Sequence, residues 1–269
     1  MVPPATAQVW TASPGVLTDM HCSALGALLD EGERAKAGRF KLQADRHAYV
    51  LAHALMRLAL AHALDVSPTA IVLSHDSRGK PVLLSPARPD VCFSHSRSRL
   101  LVACVVTTLG PVGIDVEPIR EGHADFDLLA RFVALEGLAC QHECAAPAAR
   151  RFYFLWTALE AFWKAQGTGL ASGNARIHCG AYGAGACDIR LEGIDAGAPQ
   201  ARVIPLPCVD GCAIAVALRY PQARSLGQEA RSIQAMDGMQ LINENPMALP
   251  SYSQTSSGYA QPRMSSHTS

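Results

Sequence analysis

The stretch Val112-Gly113-Ile114-Asp115-Val116-Glu117-Pro118-Ile119 decides how the rest of the chain is read. Apolar residues at 112, 114 and 116 recur with the period of a half-buried strand, and Pro118 closes it because proline has no N–H for a ladder. Alternation puts Asp115 and Glu117 on one face, about 6.5–7 Å apart along the backbone, and Ile114 and Val116 on the other. Two carboxylates so placed can grip a hard cation together. Mg²⁺ suits them, since it takes oxygen ligands and shares its remaining positions with substrate phosphates. The competing reading makes the same pair the solvated face of an edge strand.

Composition bounds the rest. The 269 residues are 49% hydrophobic and 17% charged, a globular balance with material for one large core or two small ones. Lys+Arg and Asp+Glu both number 23, so no net field draws in nucleic acid or an anionic membrane, and phosphate recognition has to be local. Met1–Trp10 has neither the basic nor the apolar region of a signal peptide. The nearest approach to a membrane span, Ala48–Leu64, carries His53, Arg57 and His62. A soluble, cytoplasmic protein is expected. The nine cysteines, an odd number, read as free thiols. Neither Cys140/Cys144, with His142 between them, nor Cys208/Cys212 has zinc-site spacing.

Working outward from the central strand, the first half reads as a strand at Gln8–Thr11, a helix from Thr18 or Asp19 through Leu29, and a basic, partly helical Glu33–Leu42. A long helix over Asp45–Leu64 follows, with Asp45 as its cap and Tyr49, Ala52, Met56, Leu60 and Leu64 at three-to-four spacing. Short strands are expected at Ile71–Leu73, Val82–Leu84, Val91–Phe93 and Leu100–Thr107. The second half reads as a helix over Asp125–Leu138, a link at Glu143–Ala149, and a long helix over Arg150–Gln166 ended by Thr168-Gly169. Strands are expected around Ala175–His178, Asp188–Leu191, Ala201–Ile204 and Cys212–Leu218. Residues 222–269, rich in Ser, Gln, Gly and Met, read as a mostly disordered tail in which Ile233–Ile242 forms at most a weak helix.

Three further motifs carry chemistry. In Trp156-Thr157-Ala158-Leu159-Glu160-Ala161-Phe162-Trp163-Lys164, Glu160 and Lys164 lie one turn apart on one helix face. Such a pair is ordinarily a weak exposed ion pair, but this helix is apolar on most sides, where an idle carboxylate is costly. Phe93-Ser94-His95-Ser96 offers a hydroxyl and an imidazole at a strand-to-loop turn, and Arg78-Gly79-Lys80-Pro81 a turn lysine. Each alone is as well explained by surface position.

In this order, G-I-D-V-E-P, W-T-x-x-E-A-x-x-K and F-S-H-S, with G-K-P upstream, resemble the 4′-phosphopantetheinyl transferases. The likeness is to the larger, two-half type that activates peptide and polyketide synthases, and covers roughly residues 31–170. It implies two similar α+β halves in pseudo-twofold arrangement with the active site between them, here 1–108 and 109–221, followed by the tail. It implies transfer of the phosphopantetheine arm of coenzyme A to a serine of an apo acyl or peptidyl carrier protein, by a monomer, with release of adenosine 3′,5′-bisphosphate. Carried over by position, Asp115, Glu117 and Glu160 hold Mg²⁺, and Glu160, ahead of Glu117, takes the serine proton. Lys164 stabilises diphosphate charge, and Lys80, Ser94, His95 and Lys36 hold the nucleotide phosphates.

Departures fall in the phosphate-binding part. Leu159 stands where many relatives have Lys or Arg, Glu33 occupies an earlier basic position, and a basic residue near the start of the long helix falls on Ala48. Arg46 or Arg39 is the expected substitute. Two other functions keep parts of this pattern: a Mg²⁺-dependent hydrolase of coenzyme A or nucleotide diphosphates, and a non-catalytic module that binds carrier proteins. The first needs an activated water, and the second would not need every carboxylate and the helix lysine.

Overall fold

The computed structural model describes residues 6–132, 147–168, 177–179, 187–191, 201–219 and 233–244. In the first half these form β1 (Ala7–Ala12), α1 (Asp19–Gly26), α2 (Glu31–Ala37), α3 (Gln43–Leu64), β2 (Val72–His75), β3 (Pro81–Ser85), β4 (Cys92–Arg97) and β5 (Val102–Thr107). The second half contributes β6 (Val112–Pro118), α4 (Phe126–Ala130), α5 (Ala148–Gln166), β7 (Ile177–Cys179), β8 (Cys187–Leu191), β9 (Ala201–Val209) and β10 (Cys212–Arg219). The chain then returns through β11 (Ile233–Asp237) and α6 (Gly238–Asn243).

Two main sheets result, in the orders β11-β1-β5-β4 and β6-β10-β9-β8-β7, with β2 and β3 a separate hairpin. Every residue of β5 is buried, which requires protein on both faces. Val102, Cys104 and Val106 pack with Trp10 and Ala12 under α3. Ala103 and Val105 point the other way and meet Val112, Ile114, Val116, Ile214 and Val216 of the second sheet. On the far face of that sheet, Ala213, Ala215 and Ala217 pack against α5. The layers therefore run α3, first sheet, second sheet, α5, and the long helix of each half covers the outer face of its own sheet.

Helix α3 is amphipathic in sequence but mostly buried, and it begins at Gln43 with Leu42 as an unbonded cap. Asp45, expected as the cap, instead takes a bidentate contact from Arg99, at 2.6 and 3.0 Å. Glu31–Ala37 is a true helix because Asp30 and Glu33 form a capping box, a D-x-x-E signal that the basic character of the stretch concealed. Gly167, in the left-handed region at φ 71°, ends α5 one position before the expected Thr168-Gly169. The expected 125–138 helix turns after Ala130 at Arg131–Phe132, and residues 133–138, most of the link, Gly169 and the Cys140/Cys144 pair lie outside the described residues. Cys208 and Cys212 are free thiols on either side of the β9–β10 turn.

The tail expectation needs correction for residues 233–244. Strand β11 adds in parallel to β1, pairing Ala7 with Ile233 through Thr11 with Asp237. Asp237 then caps α6 through its carboxylate, and Ile242 is wholly buried in the first core. A short segment with little periodicity of its own is stabilised here by an edge that β1 would otherwise leave open.

Candidate active site

The site is built at the seam where β4 and β6, the terminal strands of their sheets, lie side by side. Ser94 and Ser96, two residues apart on β4, share a face toward β6. The Ser94 hydroxyl accepts the Ile114 N–H at 3.3 Å, and the Ser96 hydroxyl donates to Asp115 Oδ1 at 2.9 Å. The expected strand-to-loop turn at 93–96 is thus the interior of a strand, and both hydroxyls face the other half.

Helix α5 delivers Glu160 and Lys164 to the same place. It approaches unusually closely, because Gly113, Asp115 and Glu117 on β6 pair with the small Ala217, Ala215 and Ala213 on β10. A Cβ on Gly113 would sit 2.0 Å from the Ala161 carbonyl oxygen and 2.6 Å from the Ala165 nitrogen. Lys164 Nζ consequently reaches Asp115 Oδ1 at 2.7 Å and the Ser96 hydroxyl at 3.0 Å. Asp115 is 4% exposed, and its second oxygen, Oδ2, is buried with no hydrogen-bond partner.

Three carboxylates here face essentially one ammonium. Burial first, then the charges of Asp115 and Glu160, pushes the Glu117 carboxyl up to about 7, against smaller pulls from Lys164 and Arg120. Glu160 is raised as well, by burial and then by Asp115, with Lys164 opposing. This is what a cation site looks like electrostatically when only protein charges are counted. Among the described residues, no three carboxylate, imidazole or thiol side chains converge into a complete cation cage. The set fits Mg²⁺ nonetheless, since that ion takes one or two carboxylates and completes its shell with water and substrate phosphate. Asp115 Oδ2 is an oxygen that only an added cation or donor would satisfy.

The first half closes the seam from the other side. Lys80, on the β2–β3 turn, donates to the Lys164 carbonyl at 2.7 Å, and Arg78 donates to the Gly167 carbonyl at 3.2 Å. The Lys164 carbonyl lies in the last turn of α5 and also accepts the Gly167 N–H at 3.2 Å, and Gly167 is the residue that caps the helix. Burial, the largest influence, lowers the affinity of Lys80 for its proton. Lys80, Ser94, His95, Trp163, Lys164 and Thr168 line one cavity of about 300 Å³. Burial, then His53, Lys164 and Arg97, pushes the His95 imidazole down to about 3, leaving it neutral.

The other expected phosphate ligands lie elsewhere. Arg46 pairs with Asp19 at 2.9 Å and lines a separate cavity of about 720 Å³ between α1, α2 and α3. The structure does not bring it to His95. Arg39 is exposed and lines neither cavity. Lys36 stands over the Tyr49 ring at 5.6 Å.

Comparison with known proteins gives the family. Residues 14–107 match the family described as 4′-phosphopantetheinyl transferase, N-terminal, and residues 111–216 match the 4′-phosphopantetheinyl transferase superfamily. A 4′-phosphopantetheinyl transferase of Bacillus subtilis is 32% identical over 163 residues, 58% of this chain and 70% of the relative. This chain belongs to the 4′-phosphopantetheinyl transferases. The transferase HetI of a Nostoc species is 31% identical over 55% of this chain and 63% of its own length. A phosphopantetheinyl transferase of a Thraustochytrium species is 27% identical over 65% of each. Two residues of this candidate site, Ser96 and Gly113, have no task in the sequence motifs. The signal of Ser96 is its two-residue spacing from Ser94, which puts both hydroxyls on one face of an extended β4. The signal of Gly113 is its place inside an apolar strand, where a glycine marks close backbone approach.

Proposed function

We propose that this protein transfers the 4′-phosphopantetheine arm of coenzyme A to a serine hydroxyl of an apo acyl or peptidyl carrier protein, in a Mg²⁺-dependent reaction that releases adenosine 3′,5′-bisphosphate. The observation that carries the reading is the seam: Lys80, Ser94 and His95 of the first half share one cavity with Lys164, which bonds Asp115 of the acidic cluster. Lys80, Ser94 and His95 are placed to hold the nucleotide end, with His95 as a neutral hydrogen-bonding group. Lys164, already held between Asp115 and Ser96, is placed beside the diphosphate. Asp115, Glu117 and Glu160 would hold Mg²⁺, which when bound neutralises diphosphate charge as the anhydride breaks.

In the proposed step the carrier serine oxygen bonds to the phosphorus that bears the pantetheine. The bond from that phosphorus to the bridging oxygen breaks, and adenosine 3′,5′-bisphosphate leaves with the electron pair. The serine proton passes to Glu160 or Glu117. No nucleophile is required of this chain, in keeping with the proton-retaining state of the buried Cys22, Cys104 and Cys212 and the half-buried Cys92.

The test is to incubate the full chain with coenzyme A, Mg²⁺ and a panel of apo acyl and peptidyl carrier proteins, and weigh each carrier by mass spectrometry. One phosphopantetheine should be added to the carrier serine. Asp115→Asn, which keeps the shape and removes one ligand charge, should slow that gain by roughly two orders of magnitude or more, the scale of a lost electrostatic group. Consumption of coenzyme A with no carrier modified would point to the hydrolase. An inert protein that still bound carriers would point to the binding module.

A further inference from the structure

Ser96 lies on β4 opposite Ala103 of β5, a member of the apolar layer between the two sheets, and is itself buried. A hydroxyl in such a place is costly unless it is bonded. Its bonds all go to the second half: it meets Asp115 Oδ1 at 2.9 Å and Lys164 Nζ at 3.0 Å, while Lys164 reaches the same Oδ1 at 2.7 Å. Elimination fixes who donates. An ammonium has protons and no lone pair, so Ser96 accepts from Lys164, and its single proton goes to the carboxylate. Two donors therefore converge on Oδ1 of Asp115. The oxygen left over is Oδ2, buried and without a partner.

We propose that Ser96 is a positioning residue for this carboxylate: it pins Oδ1 and shares the Lys164 ammonium, so that Oδ2 stays free to take the cation. The competitor it restrains is Lys164 itself. That side chain carries three rotatable donors on a flexible four-carbon stem, and without Ser96 its protons are free to bridge both carboxylate oxygens. The first half thereby sets the affinity of a cation site whose carboxylates all belong to the second. The effect also has a sign. Taking a hydrogen bond away from a carboxylate makes it more basic, which by itself tightens a metal, whereas loss of positioning loosens it. Ser96 as a positioning residue requires loosening.

This inference rests on the proposed Mg²⁺ role of Asp115, Glu117 and Glu160, but its test needs neither coenzyme A nor a carrier. Mn²⁺ is titrated into the full chain, and the free ion is counted by electron paramagnetic resonance. Ser96→Ala and Ser96→Cys, which keep the packing and lose the hydroxyl, should each weaken the ion about tenfold, the lower end of what a lost hydrogen bond to a metal ligand costs. Ser96→Thr keeps the hydroxyl on a side chain that suits a strand and should bind nearly as wild type does. In the transfer assay, the Mg²⁺ concentration giving half the maximal rate should rise in the same two variants and not in Ser96→Thr. If Mn²⁺ binding follows this pattern yet no carrier is modified, the transferase reading fails and the role of Ser96 stands. Unchanged or tighter binding in Ser96→Ala, equal weakening in all three variants, or a wild type that binds no Mn²⁺ overturns it, whatever the transfer assay shows.

Discussion

Glu33 and His95 sit within one ring contact of each other through His53, and both resist protonation in the folded protein. Burial alone would raise Glu33, but hydrogen bonds from His53 and the Asp30 N–H, with the charge of Arg57, hold it at about 2 against an ordinary 4.5. His95 falls from 6.5 to about 3, chiefly through burial. Both folded values are depressed, so in each case the unfolded chain binds the proton more readily as pH drops. The stability these groups contribute is complete above their unfolded values. It is lost from about pH 6.5 downward for His95 and from about 4.5 downward for Glu33, where the shift corresponds to about 3 kcal/mol. Urea unfolding followed from pH 7.5 to 3.5 should therefore show stability falling in two overlapping stages. In His95→Gln the upper stage should shrink while the lower remains. An unchanged upper stage would assign it to another histidine.

At the scale of elements, the fit of α5 onto β6 decides whether the acidic cluster exists. Packing of this helix uses small residues on both sides: Ala158, Ala161 and Ala165 against Ala213, Ala215 and Ala217, with Gly113 at the tightest point. The atoms that a side chain at 113 would strike are backbone, not the ends of flexible side chains. Relief would move the helix, and with it Glu160 and Lys164, away from Asp115. Gly113→Ala should cost upward of about 4 kcal/mol, in the range reserved for severe overpacking. Thermal unfolding checks it: a melting temperature near wild type would mean that the helix has room the structure does not show. Any folded fraction should have lost the 2.7 Å contact of Lys164 with Asp115, and transfer with it.

For the molecule as a whole, β11 and α6 bring the far end of the chain back onto the first half. Gly238 lies so close to β1 that a Cβ there would be 2.7 Å from the Thr11 carbonyl oxygen, and Ile242 is completely buried beneath. A chain ending at Pro221 would expose the β1 edge and forfeit the burial of Ile242, worth about 1.5–3 kcal/mol before the strand bonds are counted. Its melting temperature should fall by at least about 5 °C, given the 2–4 °C per kcal/mol expected at this size. A chain ending just after Glu244 should melt as the full protein does. Equal melting of the two truncations would show that β11 and α6 add nothing.

Strand alternation around 112–118 was enough to put Asp115 and Glu117 on one face and Ile114 and Val116 on the other, because a period of two is a property of the local backbone. Helical spacing likewise paired Glu160 with Lys164. What lies in one element is legible within that element's own residues. Three features were not. The return of 233–244 to β1 depends on an open edge more than two hundred residues earlier, which no local pattern of that segment records. The service of Lys80 and Arg78 to the end of α5 depends on how the halves meet. Which basic side chains of the first half already have acidic partners depends on contacts between distant residues. Asp19 engages Arg46, and Asp45 engages Arg99, leaving Lys36 and Arg97 on the Tyr49 ring. Charge type is written in the sequence, but neutralisation is a matter of distance, and only the tertiary structure supplies distances between residues far apart in the chain.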